Sequence, residues 1–320
     1  MAGPQPDPGR QPGGDSGSQT AGVTGEHGGE IRRFRSQDGL SLAVRIFRAP
    51  RSDRLPLICL PGLSRNSRDF IVLGKYFSRH PSEPRMVIAV DYRGRGLSDA
   101  DPDWRNYKPV VEAHDLLTAT AVFGIASAIL VGTSRGGIIA MLLGALRPAL
   151  LAGVVLNDVG PVIEGTGLAR IKNHLFGRRP VGSWDEAVVA VRETSEGRFP
   201  ALDDGDWRAL AKAYFAETPA GLAPQFDPKL VRTVDDVDFT EKIPPLWPQF
   251  MSLARVPVLS IRGEFSDILS ERTVKEMAER HPRFESVTVP GQGHAPLLND
   301  TPTVERIFSF ARRCESEARQ

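Results

Sequence analysis

The pentapeptide Gly132-Thr133-Ser134-Arg135-Gly136 sets a serine hydroxyl between two glycines. An apolar run, Ala128-Ile129-Leu130-Val131, leads into it and a small-residue, helix-compatible run, Ala140-Met141-Leu142-Leu143-Gly144-Ala145-Leu146, leads out. That pattern reads as strand, sharp turn, helix. Glycines on either side let strand and helix approach closely, so Ser134 would project from the sheet as an exposed nucleophile. The N–H groups that follow open a helix, where partial positive charge favours a developing oxyanion. The same five residues also suit an ordinary strand-to-helix turn whose serine caps the helix, so the rest of the chain must decide.

A serine nucleophile needs a base, and the base needs an orienting carboxylate. The chain has 6 histidines. His27 falls in a polar tail, His80 and His281 near helix ends, His114 within a helix and His174 in an inserted region. His294, in Val289-Pro290-Gly291-Gln292-Gly293-His294-Ala295-Pro296, alone occupies a loop directly after a sheet strand at the ligand-facing end. The favoured carboxylate is Asp267, just past the preceding strand in Arg262-Gly263-Glu264-Phe265-Ser266-Asp267. Asp158, after the strand that follows the serine helix, and Glu264 are its rivals. The oxyanion hole needs two backbone donors. The Arg135 N–H would be one. The Leu63 N–H would be the other, with Gly62 permitting close approach after Leu60-Pro61.

These residues require a scaffold, and the apolar pattern supplies one. Strands are expected over Ile31–Gln37 and Leu42–Phe47, joined at Asp38-Gly39, and over Leu55–Leu60, Met86–Val90, Ala128–Val131, Leu151–Asp158, Val256–Arg262 and Phe284–Val289. Helical stretches fall at Asp69–Phe77, Val110–Phe123, Ser270–Arg280 and Pro302–Arg313. Short apolar strands alternating with helices imply an α/β protein with a mostly parallel sheet covered on both faces. Ligands in such sheets bind at the carboxyl ends of the strands.

The alternation fails over residues 159–255. Helical pieces replace strands there, one opening at a Ser183/Glu186 capping box and one over Asp206–Glu217. We expect a helical cap inserted into a core of residues 30–158 and 256–314. Residues 1–29 have almost no large apolar side chain and are expected to be a disordered tail.

With 41% hydrophobic residues and a net charge of +1, nothing marks nucleic acid or an anionic membrane as a partner. No window approaches the roughly 18 apolar residues of a membrane span. Cys59 and Cys314 read as reduced thiols of a cytoplasmic protein, and no Cys/His spacing suits a metal.

Five stretches together, Leu60-Pro61-Gly62-Leu63, Asp91-Tyr92-Arg93-Gly94-Arg95-Gly96-Leu97-Ser98, the Ser134 turn, the Asp267 loop and Gly293-His294, resemble the α/β-hydrolase superfamily. The resemblance is to its capped branch of esterases, lactonases, perhydrolases and carbon–carbon bond hydrolases. It implies the α/β-hydrolase fold, no cofactor, and a small-molecule acyl substrate cleaved at an ester, thioester, lactone or ketone-adjacent bond by Ser134, His294 and Asp267. Acyl transfer on the same residues, or ligand binding without catalysis, are the alternatives. Where relatives commonly carry an apolar residue after the serine, this chain has Arg135, a cation at a helix N-terminus, disfavoured by about 0.3–1 kcal/mol. A carboxylate such as Asp158, or an anionic substrate group, should compensate it. Arg135 and Trp247 are accordingly the expected substrate contacts.

Overall fold

A computed structural model of the chain describes residues 23–24, 28–50, 52–176, 180–195, 197–235 and 244–318. The strands are β1 (Val23–Thr24), β2 (Glu30–Arg35), β3 (Ser41–Phe47), β4 (Leu57–Leu60), β5 (Val87–Asp91), β6 (Ala128–Thr133), β7 (Leu151–Asn157), β8 (Phe215–Thr218), β9 (Gly221–Pro224), β10 (Val258–Phe265) and β11 (Phe284–Gly293). The helices are α1 (Ile71–Ser78), α2 (Pro109–Val122), α3 (Arg135–Leu146), α4 (Gly165–Phe176), α5 (Trp184–Ser195), α6 (Asp204–Tyr214), α7 (Arg232–Asp235), α8 (Trp247–Met251), α9 (Glu271–Arg280) and α10 (Thr301–Ala318). The expectation of a disordered tail falls almost wholly outside the described residues.

Nine strands form one sheet in the order β1-β2-β3-β5-β4-β6-β7-β10-β11. Pairing is antiparallel up to β3–β5 and parallel from β5 through β4, β6, β7 and β10 to β11. Period-2 alternation explains why the central strands read as unbroken apolar runs: each face meets its own core. Ile58, Ile88, Leu130 and Val154 join Leu116 of α2 and Ile139 of α3 in one buried cluster. Cys59, Ala89, Ile129 and Val155 join Phe77 of α1 and Ile307 and Phe310 of α10 in the other.

The stretch between β7 and β10 carries α4 to α8 and has an apolar cluster of its own, around Ala187, Val191, Phe199, Trp207 and Tyr214. It is not wholly helical. The helix expected over Asp206–Glu217 ends at Tyr214, and β8 pairs antiparallel with β9. The hairpin forms because Pro219 cannot continue a helix, Gly221 takes φ 107°, and the Thr218 hydroxyl donates to the Gly221 carbonyl at 2.7 Å. Beyond the hairpin, the Gly96 N–H donates to the Gln225 carbonyl and the Asp227 N–H to the Gly94 carbonyl, both at 2.8 Å, so this segment docks on the loop after β5. Among the described residues no helix is long and apolar enough to cross a membrane, and no group of His, Cys, Asp or Glu could hold a metal ion.

Candidate active site

Ser134 sits at φ 50°, ψ −110°, a backbone conformation that a non-glycine residue holds only under constraint. Its flanking glycines are needed in the literal steric sense. A Cβ on Gly132 would lie 2.6 Å from the Gly136 backbone, and one on Gly136 would lie 2.1 Å from the Leu60 carbonyl oxygen. The Ser134 N–H donates to the Asn157 carbonyl at 3.0 Å, tying the turn to the end of β7.

The histidine loop folds back over the sheet. The Asn157 amide clamps it by donating to the Thr133 hydroxyl at 3.0 Å and to the Pro296 carbonyl at 2.9 Å. His294 Nε2 then lies 3.0 Å from Ser134 Oγ. Its Nδ1 lies 2.8 Å from Asp158 Oδ2, and the side chains of His294 and Asp158 are 7% and 0% exposed. Asp158, at φ 56°, is itself in the left-handed region. Its carboxylate also accepts from the Gly263 N–H at 2.8 Å and the Ser266 hydroxyl at 2.6 Å. A carboxylate so supplied with donors is fixed in place, where it can accept from an Nδ1–H and leave Nε2 free to accept a proton.

The expected carboxylate, Asp267, is elsewhere. It lies on the loop beyond β10, turned toward α4, where it accepts from Arg170 Nε at 2.6 Å and Nη2 at 2.8 Å. Burial works against its charge, but the Arg170 guanidinium outweighs this and holds the carboxyl below its ordinary range. Sheet order gives the reason for the correction. β7 is next to the serine strand β6, whereas β10 is one strand further out, so a histidine that reaches across from β11 as far as Ser134 has passed β10 and lies beside the end of β7. The other rival, Glu264, accepts from the Gly291 N–H at 2.8 Å and anchors the start of the histidine loop.

Leu63 and Ser134 line the same cavity, of about 710 Å³, together with His294. Two contacts from the end of β5 and the loop after it hold the Leu63 loop, and a third steadies the loop after β5 itself. Arg95 Nε donates to the Leu63 carbonyl at 2.9 Å, and the Asp91 carboxylate accepts from the Ser67 N–H at 2.7 Å and from the Leu97 N–H at 2.9 Å. Burial pushes the Asp91 carboxyl up, opposed by those same N–H donors. From the stretch between β7 and β10 the cavity wall includes Arg170, Phe199 and Leu210.

Two further expectations change. The Arg135 side chain meets neither Asp158 nor the cavity wall; its Nε donates to Glu112 Oε2 at 2.7 Å. Neither does Trp247 line the cavity. It packs on Phe250, ring centroids 5.9 Å apart, with the Arg280 guanidinium 3.8 Å over its ring, fastening α8 to the core. The sequence gives no sign of Glu112, and Arg95 stands out in it only as part of the Asp91–Ser98 stretch. An acid in the first turn of a helix reads as a partner for the helix dipole, and nothing local says that it is buried.

The model of the Alpha/beta hydrolase family matches residues 57–306. The chain is 31% identical over 261 residues to a 3-hydroxybutyrate-oligomer hydrolase of Cupriavidus necator, covering 76% of this chain and 84% of that one. It is 29% identical over 215 residues to a 2-(acetamidomethylene)succinate hydrolase of Mesorhizobium japonicum, covering 67% and 73%. The crystal structure of an alpha/beta hydrolase from Novosphingobium aromaticivorans superposes with a TM-score of 0.79 at 36% identity, covering 89% of this chain and 98% of that one. Sheet order, matched span and hydrolase relatives agree: the chain belongs to the alpha/beta hydrolase family.

Proposed function

We propose that the protein is a serine hydrolase acting on carboxylate-bearing acyl compounds of small to medium size. The observation that carries the catalytic reading is the continuous line from Ser134 Oγ through His294 to Asp158, at 3.0 and 2.8 Å. His294 Nε2 takes the Ser134 proton as Oγ attacks the substrate carbonyl, while Asp158 stabilises the imidazolium that forms. The Arg135 and Leu63 N–H groups hold the oxyanion of the tetrahedral intermediate. His294 returns the proton to the leaving group, and an acyl group remains on Ser134. Water, deprotonated by His294, then releases the acid. A fluorophosphonate probe tests this directly: the folded chain should be labelled and Ser134→Ala should not, and an unlabelled wild-type chain removes the reading.

The charge preference rests on Arg170. Asp267 occupies its Nε and Nη2, and Nη1 has no hydrogen-bond partner among the described residues, on a guanidinium that lines the cavity. A guanidinium held rigid by one carboxylate is a ready partner for a second. The named substrates of the two hydrolase relatives, a hydroxybutyrate oligomer and a substituted succinate, carry carboxylates. With 4-nitrophenyl monoadipate and the neutral 4-nitrophenyl heptanoate as a pair, Arg170→Met should raise KM for the first by about tenfold, the worth of one charge-assisted hydrogen bond. KM for the second should stay within about twofold. Equal changes for both esters would sink the preference and leave the serine chemistry standing.

A further inference from the structure

Beneath the serine turn lies a buried ionic cluster that the steps above do not use. Glu112, on the first turn of α2, is 0% exposed. Its Oε2 accepts from Arg135 Nε at 2.7 Å, and its Oε1 lies 2.9 Å from Arg95 Nη2. Arg95, 1% exposed, donates through Nε to the Leu63 carbonyl at 2.9 Å and through Nη1 to the Arg93 carbonyl at 2.6 Å. Arg135 Nη2 donates to the Tyr107 carbonyl at 2.8 Å, and the Tyr107 ring lies under the Arg95 guanidinium, 5.0 Å to its centroid. One carboxylate therefore joins two side chains, Arg135 by a hydrogen bond and Arg95 by an ion pair without hydrogen-bond geometry. The first belongs to the residue whose N–H is one oxyanion donor. The second holds the carbonyl of the residue whose N–H is the other.

We infer that Glu112 is a positioning residue that sets the spacing of the Leu63 and Arg135 N–H groups through Arg95 and Arg135. The inference rests on the reading of Ser134 as nucleophile. The two donors sit on separate elements, a loop after β4 and the start of α3, and Gly62 gives the loop no stiffness of its own. A developing oxyanion is stabilised only where both donors already point at it. Buried ion clusters are poor sources of stability, whereas the geometry they impose is well defined. The cluster also resolves the cation at the α3 N-terminus: Glu112 neutralises Arg135, so the helix end remains available to the oxyanion.

Two substitutions separate positioning from charge. Glu112→Gln keeps one acceptor oxygen and puts an NH2, which cannot accept, in place of the other, so one of the two arginine contacts is lost while Arg95 and Arg135 both stay cationic. Arg135→Met removes one arm and keeps Glu112 with Arg95. A pure field effect on the oxyanion raises kcat in Glu112→Gln and lowers it in Arg135→Met. Positioning lowers both. The readouts are kcat, KM and the rate constant for phosphonylation of Ser134, with folding followed by circular dichroism. We expect kcat and phosphonylation to fall together by about 10- to 100-fold in each variant, the scale of a misplaced donor, with KM within about twofold. The double variant should be no slower than the slower single one, because both act through one carboxylate. Folded variants with wild-type kcat, a faster Glu112→Gln, or a loss confined to KM overturn the inference. If Glu112→Gln does not fold, Arg135→Lys decides on the same readouts: it keeps the cation and loses the guanidinium's paired contacts with Glu112 and the Tyr107 carbonyl, so a field effect leaves kcat unchanged and positioning lowers it. A wild-type chain that fails to label removes the serine reading and this inference with it, whereas a labelled wild type with unaltered variants removes this inference alone.

Discussion

Asp158→Asn lowers kcat by about 10³- to 10⁴-fold with KM little changed, while Asp267→Asn keeps kcat within about tenfold of wild type. The first magnitude is that of losing the orienting carboxylate of a Ser-His-acid system. An asparagine would still fill the site, but it can present an N–H to His294 Nδ1, and that favours the tautomer with its proton on Nε2, the atom that must accept from Ser134. The fall should be in kcat because the carboxylate stabilises an imidazolium that exists only once proton transfer begins. Asp267→Asn acts differently. It weakens the bidentate contact with Arg170 on α4, so its effect belongs in KM for carboxylate-bearing esters. Steady-state kinetics on both variants, with Ser134 titrated by fluorophosphonate to count active sites, checks the pair. The reverse ranking of the two kcat values would hand the role back to Asp267.

The two aspartates also show how far the sequence could be read. Ser134 and His294 are legible because each stands in a glycine-bearing loop directly after an apolar strand run, and sheet geometry puts such loops at one end. The acid is not, because Asp158 and Asp267 both follow strand runs. The choice between them depends on the order of strands across the sheet, which strand patterns along the chain do not contain. Asp158 moreover needs φ 56° to turn its carboxylate under the histidine, a conformation that aspartate tolerates but does not announce. The main strands and helices of the core fall within a few residues of expectation because both faces of the sheet are buried and the apolar runs are unbroken. The β8–β9 hairpin is missed because its strands are short, only Phe215 and Leu222 are buried in it, and helical patterning runs straight into it. Trp247 misleads for a related reason: an aromatic in a proline-rich joint fits a pocket wall and a packing contact equally well, and only Phe250 and Arg280 around it decide.

Gly136→Ala should be the most disruptive single-methyl change in the chain's catalytic region, because it strikes stability and chemistry at one point. The added Cβ would lie 2.1 Å from the Leu60 carbonyl oxygen and 2.6 Å from the Leu60 carbonyl carbon. Both are backbone atoms of a central parallel strand whose partners β5 and β6 leave it no room to retreat, so no side chain can rotate away to relieve the contact. Overpacking against fixed backbone costs about 3 kcal/mol or more. The strain has only two outlets. Either α3 lifts from the sheet, moving the Arg135 N–H, or β4 shifts, moving Leu60 and with it the Pro61-Gly62-Leu63 loop. Each outlet displaces one of the two proposed oxyanion donors relative to the other, so the fraction of Gly136→Ala that stays folded should also lose about 100-fold in kcat. Gly124→Ala serves as the contrast. Gly124 has φ +67° but nothing within 4 Å of an added Cβ, so only the left-handed backbone is penalised, at about 1–2 kcal/mol, with kcat unchanged. Urea unfolding at 25 °C measures the first quantity and kcat per labelled serine the second. A Gly136→Ala protein that unfolds at the wild-type urea concentration would mean that helix and strand are not in the close contact on which the serine turn depends.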